Sequence, residues 1–139
     1  METRLKYFEY DDFGNPLNVS KENGTKIAYV WGYSNKYPVA KIENATYQNV
    51  LNTGVNLSII NNSASSESEI ITELNKIRDN LPNAMVTTYT YKPLVGVKTV
   101  TDPRGYSMNY YYDAQNRLKE VRDKDDNLLT DYEYHYKGQ

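Results

Sequence analysis

The chain has 139 residues, which suits one domain of ordinary size, and its 16 Lys and Arg against 18 Asp and Glu give a net charge of −2. This balance argues against nucleic acid as a partner, because nucleic-acid binding needs a basic excess or a basic patch. The absence of cysteine excludes disulfides, cysteine-ligated metal centres and thiol nucleophiles, and no apolar run approaches the roughly 18 residues of an integral membrane segment.

The tyrosine content and the first strand patterns predict a mainly β protein. Fifteen Tyr against two Phe and one Trp favour half-exposed sheet surfaces, which suit an apolar ring with a polar tip. A first block of strands is predicted over residues 5–43, where an aromatic strand ends in the turn Asp11–Asn15 and a second strand covers Leu17–Lys21. The dipeptide Asn23-Gly24 then predicts a two-residue type I′ hairpin turn.

Residues 44–87 interrupt the strand pattern, and we interpret them as an insertion. Residues 44–65 are rich in Asn, Ser and Thr, with only a weak strand-like signal at Val55–Ile60. From residue 66 the apolar side chains take helical spacing, at Ile70, Ile71, Leu74, Ile77 and Leu81. A capping box at Ser66 and Glu69, with a stop signal at Asn80-Leu81-Pro82, predicts one amphipathic helix over about residues 66–80 that covers part of the sheet.

Strands and turns resume in a second block over residues 88–137. Alternate tyrosines share strand faces, namely Tyr89 with Tyr91, Tyr110 with Tyr112, and Tyr132 with Tyr134 and Tyr136. The turn Asp113–Asn116 leads into a second strand at Arg117–Asp123. We therefore predict one module over residues 1–139, built of antiparallel β-hairpin repeats with one helix in a central insertion.

The two blocks repeat one pattern. The pattern starts from four aromatic anchors, Tyr10, Trp31, Tyr91 and Tyr112. The first two anchors are 21 residues apart, and so are the last two. A small apolar residue follows each anchor by nine positions, at Val19, Ala40, Val100 and Val121. The positions four residues after the anchors are Gly14, Asn35, Val95 and Asn116, with the turn glycine of the third copy, Gly96, displaced by one. Because the anchor, the apolar position and the turn position recur at the same spacing, the pattern indicates an internal repeat.

Residues that could carry catalysis or bind a metal are scattered. Asp123–Asn127 is similar to the opening of a calcium loop, but Leu128 and Tyr134 stand where an EF-hand needs Gly and Glu. His135 is the only histidine and has no nucleophile or metal ligand beside it in the sequence. No carboxylate pair stands out for glycoside hydrolysis. We expect no catalytic, cofactor-binding or metal-binding residue, no cofactor and no enzyme activity.

The aromatic rows leave a binding hypothesis open. Tyr and Trp rings can stack on sugars or contact a partner protein, and the residues placed for such contact are Trp31, Tyr33, Tyr110, Tyr112 and Tyr134. The competing interpretation is that the same rings form cross-strand ladders between adjacent hairpins. We favour ladders and keep carbohydrate or protein binding as the alternative.

Several stretches carry a resemblance to a known family. Residues 7–15 (YFEYDDFGN) and 110–121 (YYYDAQNRLKEV) resemble the tyrosine–aspartate (YD) repeat of the Rhs, or rearrangement hot spot, proteins. Thr101–Gly105 resembles the recurring inter-strand turn of that family, and Trp31–Ile42 is similar to a segment of large Rhs-like surface proteins of Bacteroidetes.

The resemblance implies a spiral of β-hairpins, which in toxin-bearing members closes into a shell around a polymorphic toxin. It implies an extracellular or cell-surface location in a bacterium, and a non-catalytic structural role in a shell or scaffold. Because the chain holds about four or five repeat units, too few for a shell, we expect a fragment of a larger protein. Its expected partners are the remaining repeats of that protein, with a toxin cargo, a surface glycan or a partner protein as further candidates.

Overall fold

Most of the regular structure in this protein is antiparallel sheet. A computed structural model describes residues 5–132, which contain nine strands and three helices, so the prediction of a mainly β fold is confirmed. The strands pair in chain order, each with its neighbours in the sequence. The chain divides into two compact units, the first ending at Thr88 and the second beginning at Tyr89.

The first unit consists of four complete strands and the start of a fifth. These strands are β1 (Leu5–Tyr10), β2 (Pro16–Lys21), β3 (Lys26–Gly32), β4 (Tyr37–Glu43) and the beginning of β5 (Met85–Lys92). Short turns connect the successive strands from β1 through β4, whereas the helical insertion connects β4 to β5. Despite that long connection, β4 and β5 pair in regular antiparallel register from Ala40 opposite Thr88 to Glu43 opposite Met85.

The insertion contains α1 (Tyr47–Leu51), α2 (Leu57–Ile60) and α3 (Glu67–Asn80). The predicted amphipathic helix is α3, and its capping box is confirmed. The Ser66 hydroxyl accepts the N–H of Glu69 at 3.1 Å, and the Glu69 carboxylate accepts the N–H of Ser66 at 3.0 Å.

Two parts of the insertion prediction are wrong. No strand forms at Val55–Ile60, because α2 occupies the last four of these six residues, and the prediction of a single helix missed α1 as well. Helices of five and four residues are too short for an apolar period to become visible. The N-cap residues Thr46 and Asn56 were the sequence signals that could have revealed these helices. The Thr46 hydroxyl accepts the N–H of Asn49 at 3.2 Å, and the Asn56 side chain accepts the N–H of Ser58 at 3.0 Å.

Sheet and helices share the core of the first unit. Helices α1 and α2 contact β3, and α3 contacts α2. The largest fully buried side chains come from all of these elements: Val19, Ile27, Val30, Val39, Ile42, Val50, Ile60, Leu74, Ile77 and Val86. Arg78 fastens the last turn of α3 to β5 by donating to the Val86 carbonyl at 2.9 Å and to the Thr88 hydroxyl at 3.2 Å.

A buried carboxylate links α3 to the start of α2. Glu73 is 5% exposed, and its Oε1 accepts the N–H of Asn56 at 2.8 Å and a hydrogen bond from Lys76 at 2.9 Å. Burial opposes ionisation, but the hydrogen bonds from Lys76 and Asn56 outweigh it and lower the pKa of Glu73. Glu73 is therefore a structural acid, charged and fully engaged at neutral pH.

The second unit is an open sheet with little core of its own. It contains the end of β5 and then β6 (Gly96–Thr101), β7 (Ser107–Tyr112), β8 (Leu118–Asp123) and β9 (Leu128–Asp131). Among residues 89–132 only Thr90 and Val121 are buried. With so few buried side chains, this unit gains little stability from apolar burial of its own.

Two turn predictions are wrong in detail. A type I′ turn needs positive φ at both central residues, but only Gly24 has it (88°), and its N–H donates to the Lys21 carbonyl in a three-residue loop. In the third repeat copy the positive φ falls on Leu94 (66°) and not on Gly96. Gly96 lies within β6, where a Cβ would come within 2.5 Å of the Tyr112 hydroxyl.

Replacing Leu74 with alanine is expected to lower the free energy of unfolding by about 2–5 kcal/mol, because its side chain is 2% exposed. Ile71→Ala is the matched control on the same helix, where 38% exposure predicts a cost below about 1 kcal/mol. Urea unfolding followed by circular dichroism measures both variants. Equal costs at the two positions would contradict packing of the Leu74 face.

Candidate functional site

One five-residue turn occurs five times among residues 5–132, at 11–15, 21–25, 102–106, 113–117 and 123–127. In each, the first N–H donates to the fifth carbonyl and the fourth N–H donates to the first carbonyl, at 2.8–3.1 Å. The fourth residue always has positive φ, and these residues are Gly14, Gly24, Gly105, Asn116 and Asp126. Gly, Asn and Asp are the types that tolerate this left-handed conformation.

Four of the five turns begin with an aspartate whose carboxylate closes the turn. Oδ1 accepts the N–H groups of the third and fifth turn residues at 2.9–3.0 Å in the turns of Asp11, Asp102, Asp113 and Asp123. In two of these turns the N–H groups of Arg117 and Asn127 stabilise the charged form and hold the pKa of Asp113 and of Asp123 below the ordinary value of 3.8. Asp at turns commonly accepts hydrogen bonds from the backbone N–H groups that follow it, and these four aspartates do so.

The stretch that is similar to a calcium loop is one of these turns. Oδ1 of Asp123 accepts the N–H groups of Asp125 and Asn127, and its Oδ2 accepts the Asn127 side chain at 3.1 Å. Residues 5–132 contain no group of three or more His, Asp or Glu side chains arranged to hold a metal ion. His135 lies outside the described residues.

The anchors Trp31 and Tyr112 make the same contact, one in each unit. Trp31 Nε1 donates to the Pro16 carbonyl at 2.8 Å, and the Tyr112 hydroxyl donates to the Val97 carbonyl at 2.6 Å. In both cases the acceptor lies 15 residues earlier in the chain, which is six residues after the preceding anchor. The polar tip of each ring is thereby engaged by the neighbouring strand, and burial, with the nearby Tyr110, raises the pKa of Tyr112.

Tyr33 lies in an unusual turn between β3 and β4. Tyr33, Ser34 and Asn35 have φ values of 53°, 62° and 61°, a run of three left-handed residues without glycine. This conformation costs roughly 1–2 kcal/mol per residue, so the surroundings must hold it. Asn61, at the end of α2, accepts the N–H of Asn35 at 2.8 Å, and the Tyr33 ring packs edge to face with Tyr37 at 5.9 Å.

A groove of about 530 Å³ lies in the second unit. Its lining includes four tyrosines and two lysines, namely Tyr91, Tyr110, Tyr111, Tyr112, Lys92 and Lys98. This volume falls within the range of small-molecule sites. The groove therefore brings together two residues of the aromatic contact hypothesis, Tyr110 and Tyr112.

The remaining candidates of that hypothesis lie elsewhere. Trp31 and Tyr33 belong to the first unit, and Tyr134 lies outside the described residues. Tyr111 is not among the predicted contact residues, because strict alternation assigns it to the face opposite Tyr110 and Tyr112. The lining of the groove nevertheless includes Tyr111. The register shift nearby places an extra residue, Lys119, in β8, because Tyr111 pairs with Glu120 and Tyr112 pairs with Leu118.

A second groove, of about 390 Å³, lies at one end of the same unit. There the exposed Tyr106 ring has Arg104 and Lys124 within 5.5 and 5.7 Å of its centroid. Asp102 and Asp125 also line this groove, so the two cations face acids as well as the ring. Mixed charge of this kind is typical of a solvated surface.

None of the helices within residues 5–132 has both the length and the apolar character that crossing a membrane requires. Comparison of the sequence with models of known protein families and with curated proteins gives no match. The likeness to YD repeats thus stays a resemblance carried by the quoted residues.

Asp113→Asn and Asp123→Asn are expected to reduce stability at neutral pH, with an effect that fades in acid. The folded pKa of each carboxyl lies below 3.8, so its stabilising effect is complete above that value and is lost as the pH falls through the folded pKa. Thermal unfolding from about pH 7 down to about pH 2 measures this, with Asp12→Asn at an exposed position as control. A stability difference that does not change with pH would contradict the assignment.

Tyr112→Phe is expected to cost about 0.5–1.5 kcal/mol, because it removes the hydroxyl bond to Val97 and leaves the ring in place. Tyr111→Phe, one residue earlier and 45% exposed, is the matched control and should change stability little. Denaturant unfolding of both variants decides the matter, and equal effects would count against a role for the Tyr112 hydroxyl.

Proposed function

We propose that the protein is a non-catalytic structural module of β-hairpin repeats, contributing to a shell or scaffold in a large secreted or cell-surface bacterial protein of the Rhs (YD-repeat) kind. The equivalence of two hydrogen bonds, Trp31 to Pro16 and Tyr112 to Val97, carries this proposal. Anchor position, acceptor position and the separation of 15 residues are the same in both units. Equal spacing at equal register positions is the mark of a repeated structural unit.

The Tyr-Asp dipeptide has a physical role that fits this proposal. In Tyr112-Asp113 the tyrosine fastens its strand to the preceding one, and the aspartate closes the turn that begins the next strand. Tyr10-Asp11 places the same two residue types at the first turn of the chain. The tyrosine of the dipeptide thus contacts the preceding strand, and the aspartate stabilises the turn that leads to the next strand.

The distribution of acids and of buried surface supports a structural role over a catalytic one. The carboxylates of the aspartate turns are occupied by backbone N–H groups, and Glu73 is occupied by Asn56 and Lys76. The second unit buries few side chains, as expected of repeats that rely on their neighbours for a shared core. Such neighbours would be the remaining repeats of a larger protein.

The β1 edge offers a place where neighbouring repeats can add. In the strand order β1 stands at one end, and three aromatic side chains on it or in its turn are strongly exposed: Phe8 at 58%, Tyr10 at 53% and Phe13 at 70%. An edge strand with exposed aromatic rings is a template for pairing with another strand.

If adjoining repeats normally cover β1, the protein on its own should form weak dimers as its concentration rises. Phe8→Lys should weaken this association, because a charge on an edge strand opposes pairing. Met85→Lys, at a residue of similar exposure (50%) in β5, is the control and should have no effect. Sedimentation velocity over a concentration series measures the association. A strict monomer at millimolar concentration would count against adjoining repeats at this edge.

A further inference from the structure

We infer that the tip of the hairpin formed by β5 and β6 docks on an anionic lipid surface, with Leu94 entering the interface and Lys92 and Lys98 facing the lipid headgroups. The contact is peripheral, made by one turn and the side chains beside it. This inference goes beyond the scaffold role and does not depend on it, because the repeat contacts of Trp31 and Tyr112 do not use the tip.

Leu94 lies at the tip in an unusual position for a leucine. It is 94% exposed, which is the highest value among the large apolar side chains that the structure describes. It is the third residue of the turn Lys92–Val95, which the Val95 N–H closes by donating to the Lys92 carbonyl at 3.0 Å. A positive φ (66°) at this position, directly after Pro93, is characteristic of a type II turn, where glycine or asparagine is the usual residue.

A leucine at this position is unfavourable in two ways. The left-handed backbone is strained for a bulky side chain, and the exposed side chain gains almost no burial within the chain in return. Strained residues concentrate at sites with a function. Burial of the Leu94 side chain in an external apolar medium would offset both effects.

The charge around the tip favours an anionic partner. The groove beside the turn is lined by Lys92, Lys98 and four tyrosines, and no carboxylate is among its described lining residues. Because the strands are antiparallel, the turn 113–117 lies at the same end of the sheet. Its one acid, Asp113, forms a salt bridge with Arg117 at 2.9 Å. The field at this end is therefore positive, although the whole chain carries a net charge of −2.

Most described acids of the second unit lie far from the tip. The turns 102–106 and 123–127, at the other end of the sheet, contain four aspartates against one arginine and one lysine. The six residues of β6 separate the two ends by about 20 Å. Asp131 lies on β9, three strands from β6 or about 14 Å, and Glu120 is paired with Arg122 at 2.7 Å. Both separations exceed the screening length of about 8 Å at physiological ionic strength, so these acids weaken the attraction little.

A bilayer surface is the partner that uses the leucine, the lysines and the tyrosines together. Tyrosine is enriched at membrane–water interfaces, because its ring is apolar and its hydroxyl is polar. Each lysine close to an anionic membrane adds about fivefold to the affinity, and an apolar side chain inserts at the boundary of headgroups and acyl chains. A soluble polyanion would use Lys92 and Lys98 but offers no apolar medium for Leu94.

Cosedimentation of the whole chain with lipid vesicles tests the inference. Vesicles of phosphatidylcholine with about 30% phosphatidylglycerol present an anionic surface, and vesicles of phosphatidylcholine alone are the matched neutral surface. We expect binding to the anionic vesicles that weakens as salt is added, because the lysines are screened. Binding to the neutral vesicles should be weaker by about tenfold or more.

Two variants and two controls locate the contact. Leu94→Asn should bind anionic vesicles about five- to twentyfold more weakly, yet melt at or above the temperature of the unmodified chain, because asparagine tolerates the left-handed conformation. Leu128→Asn, at a leucine 49% exposed beside the acidic turn 123–127, should leave binding unchanged. Lys92→Gln should weaken binding about fivefold, whereas Lys124→Gln, in that acidic turn, should not.

Five results would overturn the inference. They are the absence of binding to anionic vesicles, equal binding to neutral vesicles, equal weakening by the two control variants, unchanged binding of Leu94→Asn, and a lower melting temperature of Leu94→Asn. Unchanged binding of Leu94→Asn, with displacement from the vesicles by inorganic polyphosphate, would identify a polyanion site formed by the lysines alone. Selective binding to anionic vesicles, weakened in Leu94→Asn and Lys92→Gln and retained in the controls, supports the inference.

Discussion

The hydrogen bond from the polar tip of an anchor ring to a backbone carbonyl 15 residues earlier is the contact on which the other repeat features depend. It fixes the distance between one hairpin and the next, because donor and acceptor stand at set positions on neighbouring strands. Trp31 and Tyr112 make this bond with different chemical groups, an indole N–H and a phenol O–H. The two groups share one property, a large ring that ends in a hydrogen-bond donor, which phenylalanine lacks.

The two units differ in how their strands are stabilised. The first has an insertion whose helices bring Val50, Ile60 and Leu74 into a core shared with the strands. The second has no helix among its described residues and buries little, so its order depends on anchored rings and closed turns. Area buried on folding provides most of the stability of a domain. By that measure the first unit is the stable part of the chain, and the second is the part that gains most from a neighbour.

Local signals made α3 and most strands predictable, and contacts between distant residues made the rest unpredictable. Ser66, Glu69 and the apolar period around Leu74 are local, and they located α3 to within a residue. The left-handed run from Tyr33 to Asn35 depends on Asn61, 26 residues beyond Asn35, so no local rule reveals it. In the groove, period-two alternation predicted that Tyr110 and Tyr112 share a face. That Tyr111 also lines the groove does not follow from alternation, which assigns it to the opposite face of β7.

The insertion between β4 and β5 has a consequence for how such a chain can diversify. The loop that joins β3 to β4 has 4 residues, whereas 41 residues separate Glu43 from Met85, and strand order is the same across both. Loop-closure entropy rises only with the logarithm of length, so a connection this much longer costs about 2 kcal/mol. The packing of three helices offsets that cost. A folded segment can therefore be inserted between two strands of a hairpin array without changing the register of the sheet. Such an insertion adds new surface while the strand order stays the same.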